Sequence, residues 1–505
     1  MSHSAPTKLF PPFHSLSGIT IPPNCTQPSD VLFSSTFVDT AGRQRERQLN
    51  RSSTDGYCLK YKGSLGKAPR GWPIALAMLQ NMINLRTTQA QKDTCNTALA
   101  EHGGRVLALM EQSPPTEIEI TQSGEVRTKE CMARLDGAIS PAPLTGGNLG
   151  AHGKYDYHTG QQIHVSYDAS AKPYIRVDVF EEMLPTSKRR GWQRSQTVGI
   201  DIPTPVMMHD FALTSKYIVL LDFPLTVRPQ RMLFDKFPVE YEPENGARIG
   251  LVPRTEDGLV GSTQNIKWYK CQPGVALHTV NAYETEDGEK VVLHAFRASP
   301  SARGSYIETQ TPSCLHEWVI DLKKGVVLEQ CLNPDTLVEF PIVHNQRRGR
   351  ELKYSYGLRY YSIGGPLTDV IATPQDGITF DGIVKFAMID NWSPGMRKGD
   401  IADEFTLPKN WYAVTEACVI PKTSTVARGK SSKSLENAYI ALIATHVPQD
   451  DRSFLEIGSD EQSMKSHFLI LDADNLGQGP VSVLELPVSV RGGLHSMWLE
   501  WEKLV

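Results

Sequence analysis

Residues 216–227 read KYIVLLDFPLTV, a run in which apolar and β-branched residues dominate. Such a run is typical of a buried strand. Lys323-Lys324-Gly325 separates two more runs and predicts a hairpin, since glycine adopts the positive φ that tight turns require. The same pattern recurs at 317–322, 326–332, 378–390, 439–446, 468–472 and 481–486, the last after the Asp474-Asn475-Leu476-Gly477 turn. Short strands separated by turns predict an all-β sandwich, barrel or propeller.

The composition supports many turns and one large domain. The 505 residues include 39 Gly and 34 Pro, and no fixed repeat period indicates a WD40-type array. The length alone suggests about three domains of roughly 150 residues, but no linker rich in Pro, Gly or Ser divides the chain. We expect an irregular N-terminal extension over 1–55 and a single domain over 56–505.

Charge and cysteine content exclude several classes of protein. The net charge is −4 and no long basic block occurs, so we expect no nucleic-acid partner. Eight cysteines are scattered without a CxxC pair, which indicates reduced thiols and no cysteine-based zinc site. No apolar run is long enough to span a bilayer and no signal peptide is visible. The expectation is an intracellular protein of the cytoplasm or a plastid.

One segment has a helical rather than a strand pattern. Residues 71–86 read GWPIALAMLQNMINLR, with Pro73 at a plausible first helical position. One interpretation is a helix that caps the core. The other is an apolar patch that dips into a membrane surface, with Arg70 and Arg86 at its ends.

Sequence motifs of common enzyme sites are absent: GxSxG, a Walker motif, GxGxxG after a strand, HExxH and a DxDxDG loop. Histidine is more informative. His152 lies in GNLGAHGKYDYHTG, His209 in TPVMMHDFALT, His278 in GVALHTVNAYE and His495 in RGGLHSMWLEW. No local spacing rule links them, and each alone is more often a hydrogen-bonded structural histidine. Brought together by converging strands, four neutral imidazoles suit iron, copper, zinc or nickel.

The residues around these histidines resemble those of a known family. DTCNTALAEHGGRVLALMEQSPPTEI, GAHGKYDYHTGQQIHVSYD, PVMMHDFALTSKYIVLLDFPL, ARIGLVPR, HTVNAYE, LVEFPIV and GGLHSMW occur in this order between about residue 93 and the C-terminus. Each is similar to an element of the carotenoid cleavage oxygenases. The chain therefore resembles the carotenoid cleavage oxygenase family.

The resemblance implies a fold and a metal site. The fold would be a seven-bladed β-propeller with a loop and helix cap over the iron face. Fe(II) would be held on the propeller axis by His152, His209, His278 and His495. Three glutamates would accept the second ring N–H of a ligand, namely Glu111, Glu339 and Glu436. Glu436 is the weakest match, because the family's EDDG reads ENAY here, and His152 is left without a glutamate. Thr97 would lie near an open iron position.

The resemblance also implies the reaction. O2 would cleave one C=C bond of an apolar conjugated substrate into two carbonyl products, without an organic cofactor. The substrate would lie in an apolar tunnel, with Met110 and Phe340 facing it and Phe211 either lining it or packing in the core. Stilbenoid-cleaving relatives usually carry Lys at the position of Met110, which favours a carotenoid or apocarotenoid here.

Three alternatives to this reaction and one membrane contact complete the expectations. A stilbenoid- or phenylpropenoid-cleaving enzyme would keep the same iron site. An inactive propeller used as a binding module is disfavoured, because all four histidines and three glutamates are present. The isomerase branch of the family is disfavoured because its palmitoylated Cys motif is missing. Residues 71–86 fall where polyene-cleaving relatives touch membranes, which favours peripheral membrane contact.

Overall fold

Strands and short 3-10 turns form the regular structure of the protein, and the part of the chain that is described contains no α-helix. The computed structural model describes residues 33–34, 95, 97–111, 115–120, 126–131, 148–183, 191–234, 236–305, 311–361, 380–391, 393–422, 438–447, 464–487, 489–490 and 493–499. The helix or membrane patch expected at 71–86 lies outside these residues, as does Glu436. Among the described residues, no helix is long and apolar enough to cross a membrane.

The strands are short, as the turn-rich composition predicts. In chain order they are β1 (Phe33–Ser34), β2 (Ala98–His102), β3 (Arg105–Leu109), β4 (Thr116–Ile120), β5 (Val126–Cys131), β6 (Lys154–Asp156), β7 (Gln161–Tyr167), β8 (Ile175–Met183), β9 (Gly191–Ile200), β10 (Phe211–Leu213), β11 (Tyr217–Asp222), β12 (Leu225–Val227), β13 (Val239–Tyr241), β14 (Ala247–Pro253), β15 (Lys267–Cys271), β16 (Thr279–Glu284), β17 (Lys290–Arg297), β18 (Gly304–Ser305), β19 (Cys314–Asp321), β20 (Val326–Asn333), β21 (Val338–Ile342), β22 (Tyr354–Tyr360), β23 (Phe380–Ala387), β24 (Ile401–Thr406), β25 (Trp411–Ala413), β26 (Cys418–Pro421), β27 (Ala438–His446), β28 (Lys465–Asp472), β29 (Pro480–Glu485) and β30 (Ser496–Met497). The 3-10 turns are Pro229–Phe234, Pro243–Asn245, Thr263–Asn265, Asn345–Arg347 and Leu476–Gln478.

Most strands belong to antiparallel sheets whose order follows the chain. Four sheets have four strands each: β2–β5, β6–β9, β10-β11-β14-β15 and β16-β17-β19-β20. A nine-stranded sheet contains β21–β29, a three-stranded sheet joins β12, β13 and β18, and β1 pairs with β30. The expectation of an all-β fold is confirmed.

The run at 216–227 forms two strands rather than one. β11 ends at Asp222 and β12 begins at Leu225. Pro224 lies between them and has no backbone N–H to donate to a ladder. The chain therefore leaves the sheet in which β11 pairs with β14 and continues in the sheet in which β12 pairs with β13.

The predicted hairpin is confirmed. β19 and β20 are antiparallel neighbours, with Asp321 opposite Val326. Gly325 closes the turn with φ of 70°, the left-handed region that glycine adopts without steric cost.

Each sheet buries one apolar face against the next sheet along the chain. One cluster joins β7 and β8 to β10 and β11 through residues such as Val177 and Ile218. A second joins β11 and β14 to β17 and β19, with Trp318 fully buried. A third joins β16, β17 and β19 to β21 and β23. In this packing the first strands of two successive sheets, β10 and β16, lie beside each other.

Candidate metal centre

Four histidines from four separate segments meet at one point. His152 and His209 lie two residues before β6 and β10, while His278 and His495 directly precede β16 and β30. The segments that precede these four strands each deliver one ring to a common point. The four ring nitrogens that face each other lie within 4.8 Å of one another. The structure thus brings together the four predicted ligands.

The spacing of the rings fits one metal ion. The Nε2 atoms of His152 and His209 are 3.0 Å apart, those of His209 and His278 3.2 Å, and those of His278 and His495 3.2 Å. A metal–imidazole bond of about 2.1 Å places ligands at right angles about 3.0 Å apart. The observed nitrogens have that separation.

The ring centroids of the four histidines are unequally spaced. Five of the six centroid distances lie between 4.3 and 5.0 Å, and only His209–His495 is longer, at 6.5 Å. A tetrahedron would give six equal distances and a square two long ones. One long distance is the pattern of an octahedron that lacks two adjacent ligands.

Carboxylates orient three of the rings through their other nitrogen. Glu111 contacts Nδ1 of His209, Glu339 lies 2.6 Å from Nδ1 of His278, and Glu416 lies 2.9 Å from Nδ1 of His495. An Nδ1–H that is donated to a carboxylate leaves the Nε2 lone pair free for a metal. The donor set therefore fits a divalent cation that accepts neutral imidazole.

The third carboxylate that contacts a histidine ring is Glu416, whereas the resemblance implies Glu436. The carboxylate at Nδ1 of His495 is Glu416, and Glu436 lies outside the described residues. The backbone explains the pairing: the Glu416 N–H donates to the Leu494 carbonyl at 2.9 Å, and the Gly493 N–H donates to Val414. This short ladder holds Glu416 beside the residue that precedes His495. No local spacing in the sequence signals it.

His152 differs from the other three histidines. Among the described residues it makes no ion pair with a carboxylate. Burial holds its pKa well below the ordinary value, and the charges of His495, His209, His278 and Lys154 act in the same direction. The ring therefore stays neutral, as a metal ligand must.

His278 and His495 show opposite pKa shifts for a physical reason. Burial lowers the pKa of both rings, but the Glu339 carboxylate outweighs burial and raises the pKa of His278. Burial prevails over the longer contact with Glu416 and lowers the pKa of His495.

A buried carboxylate next to His209 ties three ligand-bearing segments together. Asp210 Oδ2 accepts from the N–H of Thr279 at 2.8 Å and from its hydroxyl at 2.7 Å, and Thr279 follows His278. Asp210 Oδ1 lies 2.7 Å from Nζ of Lys154, two residues after His152. Burial opposes the charged form, yet the pair with Lys154 lowers the pKa of Asp210 to about 2. The sequence analysis did not single out Asp210 or Lys154.

Phe340 covers the histidines on one side. Its ring stacks on His278 with 5.4 Å between centroids and lies edge-on to His495 at 5.2 Å. Its φ of 54° is unusual for a non-glycine residue. That conformation turns the Phe340 N–H back to donate to the Glu339 carboxylate, so one strained residue both fixes Glu339 and places an aromatic face at the site.

The remaining predicted residues have different positions. Thr97 is buried and its carbonyl accepts from the His495 N–H at 3.2 Å. Met110 is half-buried and directly precedes Glu111. Phe211 is 1% exposed and belongs to the hydrophobic core, with Nζ of Lys154 at 5.3 Å from its ring centroid. Its burial supports the core interpretation rather than the tunnel lining.

Comparison with known proteins identifies the family. Residues 15–500 match the family described as retinal pigment epithelial membrane protein, RPE65. A carotenoid 9,10(9',10')-cleavage dioxygenase 1 of Phaseolus vulgaris is 27% identical over 483 residues, which cover 93% of this chain and 77% of that protein.

Solved structures share the fold. The lignostilbene dioxygenase of Pseudomonas brassicacearum superposes with a TM-score of 0.59 at 22% identity, over 81% of this chain and 76% of its own. A mutant of Synechocystis apocarotenoid oxygenase gives 0.58 at 22% identity, over 86% and 79%. With a family match that spans nearly the whole sequence, the chain belongs to the carotenoid cleavage oxygenases.

Proposed function

We propose that the protein is a non-haem iron dioxygenase that cleaves a C=C bond of a carotenoid or apocarotenoid into two carbonyl products. One observation carries the proposal: the four histidines present ring nitrogens that lie within 4.8 Å of one another, and carboxylates hold three of these rings. An octahedral ion held by these four rings would have two positions left, enough for O2 and one further ligand. The family is iron-dependent, which selects iron among the metals that imidazole suits.

The protein side chains would hold and shield the metal. His152, His209, His278 and His495 would bind it, and when bound Fe(II) supplies the redox chemistry by which O2 attacks a conjugated double bond. Glu339 and Glu416 keep a proton at the Nδ1 atoms of their histidines, which directs the Nε2 lone pairs inward. The Phe340 ring stacks on His278 and lies edge-on to His495, so it would shield a bound metal on that side.

The proposed substrate class rests on Met110, which stands where stilbenoid-cleaving relatives usually carry a lysine. Met110, directly before Glu111, has a thioether and no proton to donate to a phenol oxygen. An apolar polyene needs no such donor, and methionine packs well along it. The cleavage dioxygenase of Phaseolus vulgaris carries a name with a carotenoid substrate, which supports this choice.

Cleavage of stilbenoid or phenylpropenoid alkenes is the second candidate. The fold is shared with a lignostilbene dioxygenase, so the metal site alone does not separate the two. Side-by-side incubation with a carotenoid, an apocarotenal and a hydroxystilbene distinguishes them. Exclusive aldehyde formation from the stilbene would replace the first proposal with the second.

We also propose the finer architecture and a membrane contact. The successive sheets would be blades of one seven-bladed propeller over 56–505, with the irregular extension over 1–55 outside it. Residues 71–86 would touch a membrane surface, from which an apolar substrate enters. Deletion of 74–85 should weaken binding to liposomes while iron content stays unchanged, and unchanged liposome binding would argue against the contact.

Metal analysis tests the proposed site itself. Protein purified from cells supplied with iron should contain about one Fe per chain, and the His278→Ala variant should lose it. A chain without iron, or a His278→Ala variant with full activity, would overturn the proposal. An inactive binding module would form no product under oxygen, whether or not iron is bound.

A further inference from the structure

Two cysteines, one on each strand, lie on the same face of the hairpin formed by β19 and β20. His316 lies directly opposite Cys331 in the strand register, with a bulge between Leu315 and His316. Cys314 is two residues from His316 and points to the same side of the sheet, because side chains alternate along a strand. The sulfur atoms of Cys314 and Cys331 are 2.7 Å apart, and both residues are free thiols.

The distance between the sulfurs suits a disulfide bond. An S–S bond is about 2.05 Å long, so the two atoms need to approach by only about 0.7 Å. The adjacent backbones are already held by ladder hydrogen bonds on both sides of the bulge. Closure therefore requires a small side-chain adjustment and no rearrangement of the strands.

The surroundings favour a thiolate on one of the two sulfurs. The contact with Cys314 lowers the pKa of the Cys331 thiol, and the ring of His316 acts in the same direction against the effect of burial. The pKa of Cys314 is raised by its contact with Cys331 and by burial, although the charge of Arg297 opposes this shift. The thiolate is the reactive form of cysteine, so the two residues have different roles.

The pair is accessible to small molecules. Cys331 is half-buried and lies on β20, the last strand of its sheet. By contrast, Cys418 is buried, and Cys271 is half-buried with a pKa raised to about 12 by burial and by the charge of Glu329. Of these positions, only Cys331 combines an activated sulfur, a neighbouring thiol and access.

We propose that Cys314 and Cys331 form a redox-active dithiol, with Cys331 as the attacking thiolate and Cys314 as the resolving thiol. A small disulfide such as glutathione disulfide would be the oxidant. The Cys331 thiolate attacks one glutathione sulfur, the glutathione S–S bond breaks, and one glutathione leaves as a thiolate. The Cys314 sulfur then attacks the mixed disulfide at Cys331, gives up its proton and displaces the second glutathione. In sum, two protein thiols are oxidised to one disulfide and glutathione disulfide is reduced to two glutathiones.

The turn between the strands makes the test direct. Trypsin cleaves after Lys323 and Lys324, so Cys314 and Cys331 fall into the separate peptides 304–323 and 325–347. The full-length protein is incubated with glutathione disulfide, alkylated and digested without reductant. We expect a cross-linked species of the two peptides that dithiothreitol removes, while Cys271 stays alkylated.

Single substitutions separate the two roles. Cys314→Ser should retain one glutathione on Cys331 and form no cross-link, whereas in Cys331→Ser the Cys314 thiol should carry no glutathione and should be alkylated. Circular dichroism confirms that both variants fold. The proposal is overturned if both thiols of the wild type stay as alkylatable as Cys271, or if Cys314→Ser carries no more glutathione on Cys331 than on Cys271. Both outcomes concern only the cysteines, so they do not depend on whether a metal is bound at the four histidines.

Discussion

Substitution of Glu416 tests the assignment of the carboxylate at His495. The contact is a single hydrogen bond of 2.9 Å from Nδ1 of His495 to Oε2 of a carboxylate that is 18% exposed. Its removal in Glu416→Ala leaves the Nδ1–H of a buried ring without an acceptor. Loss of such a partner typically weakens metal affinity roughly 10–100-fold, which corresponds to about 1.4–2.8 kcal/mol.

A conservative variant separates charge from hydrogen bonding. Glu416→Gln keeps a carbonyl oxygen that accepts the Nδ1–H but removes the negative charge. A charge-assisted hydrogen bond is about twice as strong as a neutral one, so about half of the free energy should remain. We expect iron affinity to fall roughly 3–10-fold in Glu416→Gln, less than in Glu416→Ala.

Glu436→Gln is the matched control. Because Glu416 already accepts the Nδ1–H of His495, loss of the Glu436 charge should leave iron affinity within about twofold of the wild type. The assay is competition for Fe(II) with a chromophoric chelator under argon, with far-UV circular dichroism as a check on folding. The reasoning is refuted if Glu436→Gln costs as much as Glu416→Ala, or if Glu416→Ala weakens binding less than about twofold.

Three further predictions concern the metal site and the stability of the fold. His278→Ala should reduce bound iron at least about tenfold by elemental analysis, because one of four ligands is gone. Asp210→Asn should lower the free energy of unfolding, measured in urea, by about 3–5 kcal/mol, because it leaves the buried Lys154 unpaired. The control Asp222→Asn breaks a more exposed ion pair and should lower this free energy by about 1 kcal/mol or less. Equal losses in the two variants would contradict the argument. Burial disfavours the charged form of Glu317, but its partners lower its pKa to about 2, so the unfolded state takes up a proton first as the pH falls. Between about pH 4.5 and 3.5 the free energy of unfolding of the wild type should therefore fall by about 1 kcal/mol more than that of Glu317→Gln. Equal decreases in the two proteins, measured by urea unfolding, would contradict this.

The sequence predicted those parts of the fold that local chemistry decides. The hairpin at Lys323–Gly325 follows from turn residues between two apolar runs, and the structure has it. The run at 216–227 was expected as one strand, but Pro224 divides it between two sheets. The apolar pattern indicates that a segment is buried, and both strands are buried. It does not indicate which neighbouring strand each of them pairs with.

The metal ligands needed more than local pattern. Successive histidines of the site are 57, 69 and 217 residues apart, and only the order of the flanking motifs connected them. Glu416 escaped notice because its position depends on the ladder between 414–416 and 493–494, a long-range contact. Asp210 was overlooked for the same reason, since its partners Lys154 and Thr279 come from other sheets.

Product analysis under controlled oxygen tests the central claim most directly. The iron-loaded protein is incubated with a panel of forty-carbon carotenoids and shorter apocarotenals, under oxygen and under argon, and the products are identified by mass. We predict paired carbonyl fragments whose carbon numbers sum to that of the substrate, formed only under oxygen and lost in His278→Ala. Formation of the same fragments under argon, or an unchanged carotenoid panel beside an efficiently cleaved hydroxystilbene, would contradict a carotenoid-cleaving iron dioxygenase.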